Sequence, residues 1–167
     1  LLLVNLSNFL IDNWYVVIVV LSLMVFFAMQ FARTETGKRW GSIFKLNVPI
    51  FKGMFLRLYN ARFARTSQNL LSTGVSIQDT LTISGESVGN VIVQEQINIA
   101  AEDVKSGKPL SECLDKRDYM LPLIPQMVNI GEQSGKIDEM LGKAATVYEN
   151  ELDEQIKAAQ AQMNLLG

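Results

Sequence analysis

The chain has 167 residues, a formal net charge of −2 and 49% hydrophobic residues, enough for one compact domain with an appendage. It contains no histidine, so the commonest general base and the commonest metal ligand in proteins are both missing. Its one cysteine, Cys113, has no partner for an internal disulfide. We expect a small buried apolar residue there, with a reactive thiol as the alternative.

A long apolar run occupies residues 13–32, which read NWYVVIVVLSLMVFFAMQFA without charge, Pro or Gly. A helix of about 20 residues rises about 30 Å, the hydrocarbon thickness of a bilayer. Trp14 and Tyr15 stand at its start, where amphipathic rings favour the membrane interface. The pattern predicts a transmembrane helix over 13–32, preceded by the end of an external segment over 1–12. A buried core helix is the alternative, but a domain this small can hardly hide a helix that is apolar on every side.

Basic residues follow the apolar run. Residues 33–65 contain eight Lys or Arg and one acid, Glu35, whereas residues 66–167 contain seven bases and fifteen acids. The positive-inside rule therefore places the chain from Arg33 onward in the cytoplasm and Leu1 outside. The basic residues that we expect to set this topology are Arg33, Lys38, Arg39 and Lys45.

The segment 33–53 is predicted to be a basic juxtamembrane linker, because Gly37, Gly41, Pro49 and Gly53 interrupt it. Its mixture of basic and aromatic residues suits an anionic leaflet. A solvated connector whose charges only set topology is the alternative.

The remainder, residues 54–167, shows helical periods and almost no strand alternation. We predict six helices. The first covers 55–73, and the second begins at a cap formed by Ser76, with Asp79 in the capping box. The others cover 91–106, about 111–114, about 122–132, and a long segment from about 136. Helix ends and packing positions are expected at Gly74, Gly89, Asn90 and Gly107. The fold class is therefore all-α: an antiparallel bundle of about six helices preceded by a transmembrane helix.

The last helix carries an apolar stripe and an acidic stretch. The stripe comprises Ile137, Met140, Leu141, Ala144, Tyr148, Leu152, Ile156, Ala159 and Met163. The acidic residues between Glu149 and Glu154 lie mainly off it, and they predict a solvated face rather than a metal site, since no EF-hand spacing is present.

The run NIGEQSGKIDE, residues 129–139, superficially resembles a nucleotide-binding loop. A P-loop needs G-x-x-x-x-G-K-[ST], but only Glu132, Gln133 and Ser134 separate the two glycines, and Ile137 follows Lys136. No phosphate site is predicted, and we expect no cofactor, no metal and no catalytic residue.

Taken in order, several motifs resemble the type II secretion F family. They are a Val-Pro before the first helix, ARFARTSQNLLSTGVS from Ala61, Gly89-Asn90, GKPLS from Gly107, a proline-containing stretch, and G-E-x-S-G-x-[IL] at residues 131–137. The resemblance covers essentially the whole chain, including the apolar run.

The resemblance implies a non-enzymatic platform protein of the cytoplasmic membrane of a bacterium or archaeon, multi-pass in full length, with two such helical domains and three spans. This chain would be the second domain with its preceding span, within a longer protein. The implied partners are a cytoplasmic hexameric ATPase, pilin or pseudopilin subunits, other inner-membrane assembly proteins and further copies of the same chain, without direct nucleic-acid binding. A membrane-anchored helical adaptor or signalling domain is the alternative, and an enzyme comes third.

The segment Gly131, Glu132, Ser134, Gly135 and Lys136 is the candidate structural or partner-binding loop. Gly131 is expected to end a helix or to permit close packing, and Gly135 to adopt a positive φ. Ser134 is expected to accept N–H bonds from the last helix. Glu132 is expected to cap backbone or to pair with Arg62 or Arg65.

Overall fold

A computed structural model describes residues 13–166, which contain eight helices and no strand. The prediction for residues 1–12 lies outside the described part of the chain. The helices are α1 Trp14–Arg33, α2 Glu35–Asn47, α3 Pro49–Ser72, α4 Ile77–Ser87, α5 Val91–Lys105, α6 Leu110–Asp115, α7 Leu123–Ser134 and α8 Ile137–Leu166. Two compact units are distinguished, one up to residue 41 and one from residue 42 onward.

The first unit is dominated by α1, which has 20 residues, a mean hydropathy of 2.4 and no buried residue. By length and composition it is able to cross a membrane. Thr34 ends it: its hydroxyl donates to the Phe31 carbonyl at 2.6 Å and accepts from the Gly37 amide at 3.1 Å. A Cβ at Gly37 would overlap that carbonyl oxygen, so glycine is required for this turn.

Within residues 33–53, the predicted interruptions at Gly37, Gly41 and Gly53 are wrong, whereas the one at Pro49 is confirmed. The segment is helical as α2 and the first turn of α3, with a break at Val48. Pro49 occupies the first turn of α3, where proline is tolerated because its missing N–H would be unpaired in any case. Gly41 is exposed within α2, where glycine costs only about 1 kcal/mol.

The second unit is a ring of six helices, α3 to α8, in which each helix packs on the next and α8 closes on α3. Bonds along α3 show the direction of its neighbours. Toward α8, Arg57 bonds to Glu151 and Arg65 to Glu149. Toward α4, Arg62 bonds to Val88, which directly follows that helix, and Ser67 bonds to Ser84 within it. Both neighbours therefore run antiparallel to α3, as predicted.

The core lies inside this ring. Its largest fully buried apolar side chains include Tyr59, Phe63, Ile97, Leu114 and Leu141. Small residues let the helices approach: a Cβ at Gly142 of α8 would overlap the Gln68 amide of α3. Such close-packed interiors resist changes of even one methyl group.

Most predicted helix ends are confirmed. Gly74, Gly89 and Gly107 have φ values of 87°, 84° and 91°, the left-handed region that glycine enters at low cost. Ser76 caps α4 by accepting from the Asp79 amide at 3.1 Å.

The apolar stripe of α8 is covered for only part of its length. The stripe is buried at Leu141, Ala144 and Tyr148, but the residues from 153 to 166 are all exposed. Ile156 and Met163 are 48% and 69% exposed. The helix is 30 residues long, and its last 14 described residues are not covered by the other helices.

Candidate functional site

The segment 131–136 is a sharp turn between α7 and α8 rather than a loop. Residues 131–134 form the last turn of α7, and only Gly135 and Lys136 lie between the two helices. The predicted end of α7 near Glu132 was therefore slightly early.

Gly135 makes the turn possible. Its φ is 72°, as predicted, in a region that side chains disfavour. The Gly131 carbonyl accepts both from the Gly135 amide and, at 2.9 Å, from the Lys136 amide. The end of α7 is thus satisfied locally, in the manner of a glycine-terminated helix.

Gly131 permits close packing, one of its two predicted roles. A Cβ at this buried position would lie 2.6 Å from the Cα of Ile137 and 3.0 Å from its amide nitrogen. The start of α8 therefore lies directly against the Gly131 backbone, and the two glycines of the motif act together at one corner.

The expected cap from Ser134 is wrong. Its hydroxyl donates to the Ile130 carbonyl at 2.9 Å, within α7, because a serine inside a helical turn can reach back to the carbonyl four residues earlier. Asp138 and Glu139 occupy the first turn of α8, where their negative charges interact favourably with the helix dipole.

Glu132 caps backbone, and its predicted pairing with Arg62 or Arg65 is wrong. Its carboxylate accepts from the Ser111 amide at 3.1 Å and from the Ser111 hydroxyl at 2.5 Å. It thereby fastens the end of α7 to the start of α6. Arg62 instead donates to the Val88 carbonyl at 3.1 Å.

Arg65 forms a forked ion pair with Glu149 of α8, with both N···O distances 2.9 Å. The bond from Arg65 lowers the pKa of the Glu149 carboxyl, and the same bond raises the pKa of the guanidinium. A second pair, Arg57 with Glu151, is 2.6 Å long. The acidic stretch thus closes the ring on α3, and no cluster of metal-ligating side chains occurs between residues 13 and 166.

Asn60 is a structural residue that was not predicted from the sequence. It is buried in α3, donates to the Leu56 and Tyr119 carbonyls at 2.8 and 2.9 Å, and accepts from the Leu121 amide at 2.9 Å. Tyr119 has a φ of 64°, the one positive value at a non-glycine residue in the described range. Asn60 therefore holds the irregular α6–α7 connection. The signal was available, because Asn60 interrupts the apolar stripe of Leu56, Tyr59 and Phe63.

Asn90, predicted as a helix-end residue, has two roles. Its carboxamide oxygen accepts from the Ile92 and Val93 amides at 3.0 and 3.2 Å and so caps α5. Its amide group donates to the Ser42 carbonyl at 3.3 Å, which ties the second half of α2 to the bundle.

The four basic residues assigned to topology are all exposed. Arg33 ends α1, and Lys38 lies 3.5 Å from Glu35. Lys45 also has a structural contact, since its ammonium lies 5.6 Å from the centroid of the Phe55 ring, a cation–π distance.

Cys113 is 1% exposed, and burial raises the pKa of its thiol. The neutral thiol is the less reactive form, so the expectation of a small buried apolar residue is confirmed over that of a reactive nucleophile.

Comparison with known proteins identifies the family. Residues 63–166 match the family model of the type II secretion system (T2SS) protein F. The type IV pilus assembly protein PilC of Thermus thermophilus is 35% identical over 146 residues, covering 86% of this chain and 36% of the relative. The type II secretion system protein F of Pseudomonas aeruginosa is 34% identical over 119 residues, covering 71% and 29%. The chain thus spans well under half the length of these relatives, and it belongs to the type II secretion system protein F family.

Proposed function

We propose that the protein is a non-enzymatic platform of the cytoplasmic membrane that couples a cytoplasmic hexameric ATPase to assembly of a pilus or pseudopilus. This proposal rests on the family match across most of the bundle and on relatives whose names refer to type IV pilus assembly and type II secretion. The runner-up, an unrelated membrane-anchored adaptor, has no comparable support.

The proposed topology follows from α1 and the charge distribution. The segment 13–32 crosses the membrane, 33–53 links it to the bundle, and 54–167 forms a cytoplasmic domain. This domain is the second helical domain of a longer multi-pass chain. The excess of bases between residues 33 and 65 supports that orientation. It also explains those bases without direct nucleic-acid binding.

The proposed mechanism is mechanical. Each helix of the ring packs on two neighbours, so a force on one helix is passed to the whole bundle. The ATPase would supply hydrolysis, and the platform would transmit its movement to pilin or pseudopilin subunits and other inner-membrane assembly proteins. We propose that it acts as a homo-oligomer.

The α7–α8 turn is the proposed contact with a partner. Gly131 and Glu132 are committed to the fold, whereas Gly135 is exposed and the Lys136 side chain is 62% exposed. Lys136 lies 3.8 Å from the exposed Glu139, a weak surface pair that a partner can replace at little cost.

The test uses the full-length protein in its native membrane, with a photo-crosslinking residue at Lys136. Lys105 is the matched control, because it is an exposed lysine, 53% accessible, paired three residues away with Glu102. We expect adducts between position 136 and the ATPase or another assembly component, and none of these from position 105. Adducts only to a second copy of the chain, with the ATPase present in the same membranes, would favour the adaptor instead.

A further inference from the structure

The corner where α2 meets α3 exposes bulky apolar side chains. Phe44, Ile50 and Phe51 are 69%, 83% and 50% exposed. Other residues of the same corner contact the bundle: Leu46 is 1% exposed, and the Ser42 carbonyl accepts a hydrogen bond from Asn90. The corner is therefore held in place by the bundle while its outer surface has no cover within the described residues. We define the corner patch as Phe44, Lys45, Ile50, Phe51 and Lys52.

The charge of the corner patch limits what covers it. Residues 42–53 contain Lys45 and Lys52 and no acid, and both lysines are exposed. Asp118 lines the same cleft as Lys52 and offsets part of its charge. Aromatic and aliphatic side chains beside lysines suit the interface of an anionic bilayer, where rings enter the headgroup boundary and ammonium groups meet phosphates.

The distance along the chain favours the same surface. From Glu35, the first residue of α2, to Phe44 the helix rises only about 14 Å, even if it stands upright on the bilayer. A helix that lies flatter brings Phe44 closer. Headgroups extend about 5–8 Å beyond the hydrocarbon, so the corner reaches them where α2 lies nearly flat on the bilayer and not where it stands upright.

We propose that the corner patch is a second membrane attachment, which binds the interface of an anionic bilayer beside the end of α1. This inference rests on the proposed crossing of the membrane by α1. Its consequence is that the bundle meets the bilayer at two points, a span and a surface contact, which restricts rotation of the bundle about the end of the span.

The test places a nitroxide on the full-length protein in phosphatidylcholine vesicles, with or without phosphatidylglycerol. The label is attached at Ile50→Cys, and Ile130→Cys is the matched control, an isoleucine of α7 that is 50% exposed. Leu21→Cys reports on α1. Cys113 is buried, and cysteines outside residues 1–167 are replaced by serine, so labelling of the native protein reaches the introduced thiol. Collision with oxygen reports lipid, and collision with a water-soluble nickel complex reports solvent.

We expect the label at position 50 to collide more with oxygen than with the nickel complex, and the label at position 130 to show the reverse. The ratio of oxygen to nickel collisions at position 50 should be larger with phosphatidylglycerol present. Lys52→Gln should reduce that gain. Solvent exposure at position 50, with position 21 in lipid, would overturn the proposed membrane contact of the corner patch and leave the proposed crossing by α1 standing. Solvent exposure at both would overturn both. Shielding of position 50 from both reagents would mean that protein covers the corner, and an equal signal in the two lipids would refute its anionic preference.

Discussion

Replacement of Gly131 by alanine tests how closely α7 and α8 approach. The new Cβ would lie 2.6 Å from the Cα of Ile137 and 3.0 Å from its nitrogen, both backbone atoms. Carbon atoms pack best at about 3.5–4.0 Å, so the two helices have to separate by about 1 Å. No change of rotamer relieves this contact.

The magnitude is the difference of two opposing effects. Overpacking costs about 1–3 kcal/mol, and a backbone clash belongs at the upper end of that range. Alanine in place of glycine within a helix returns up to about 1 kcal/mol. The net expectation for Gly131→Ala is a loss of about 2 kcal/mol in the free energy of unfolding.

The assay is denaturant unfolding of the full-length protein in mild detergent, followed by circular dichroism. Gly53→Ala in α3 is the control, because a Cβ there would meet only the flexible end of the Arg57 side chain, at 3.1 Å. It should be neutral or slightly stabilising. A Gly131→Ala protein as stable as Gly53→Ala would refute the claim that the glycine is needed for close approach.

Three further results are expected. Asn60→Ala should lower the free energy of unfolding by about 1–3 kcal/mol, because it leaves the part-buried Leu121 amide unpaired; unchanged stability in the same unfolding assay would contradict this. Glu149→Gln should cost at most about 1 kcal/mol at neutral pH, since both partners of the pair with Arg65 are at least 36% exposed. Because Arg65 lowers the pKa of Glu149 from its usual 4.5, the stabilisation is present above that value and disappears as the pH falls through the lowered pKa, so wild type and variant should converge in acid. Cys113 should resist maleimide at neutral pH until the protein unfolds, as followed by mass spectrometry; rapid labelling of the native protein would disprove its burial.

Local chemistry explains what the sequence predicted well. Gly74 and Gly107 end helices because the left-handed conformation is decided at one residue. The Ser76–Asp79 cap involves residues three apart. The all-α class follows from apolar periods of the right length. Each of these features is specified within one or two helical turns.

Non-local contacts explain what the sequence did not predict. The second half of α2 is helical and tied to the bundle through Ser42 and Asn90, which lie far apart in the chain. From its chemistry, Glu132 was equally able to cap backbone or to pair with an arginine. The packing of α6 on α7 brings the Ser111 amide to it and so decides between the two. Asn60 reaches Tyr119 and Leu121 across the bundle. Single-sequence periodicity contains no information about which distant residues meet.

The glycine motif of residues 131–137 separates into an inner and an outer part. Gly131 and Glu132 face the bundle, so their replacement should change stability first and assembly only as a consequence. Lys136 faces outward, so its replacement by glutamine should leave stability unchanged. Gly135→Val combines the two effects, because the exposed position has open space for a side chain but its φ of 72° disfavours one. A contact role for the turn therefore has to be judged at Lys136, and a loss of assembly seen only at the glycines would assign the motif to architecture.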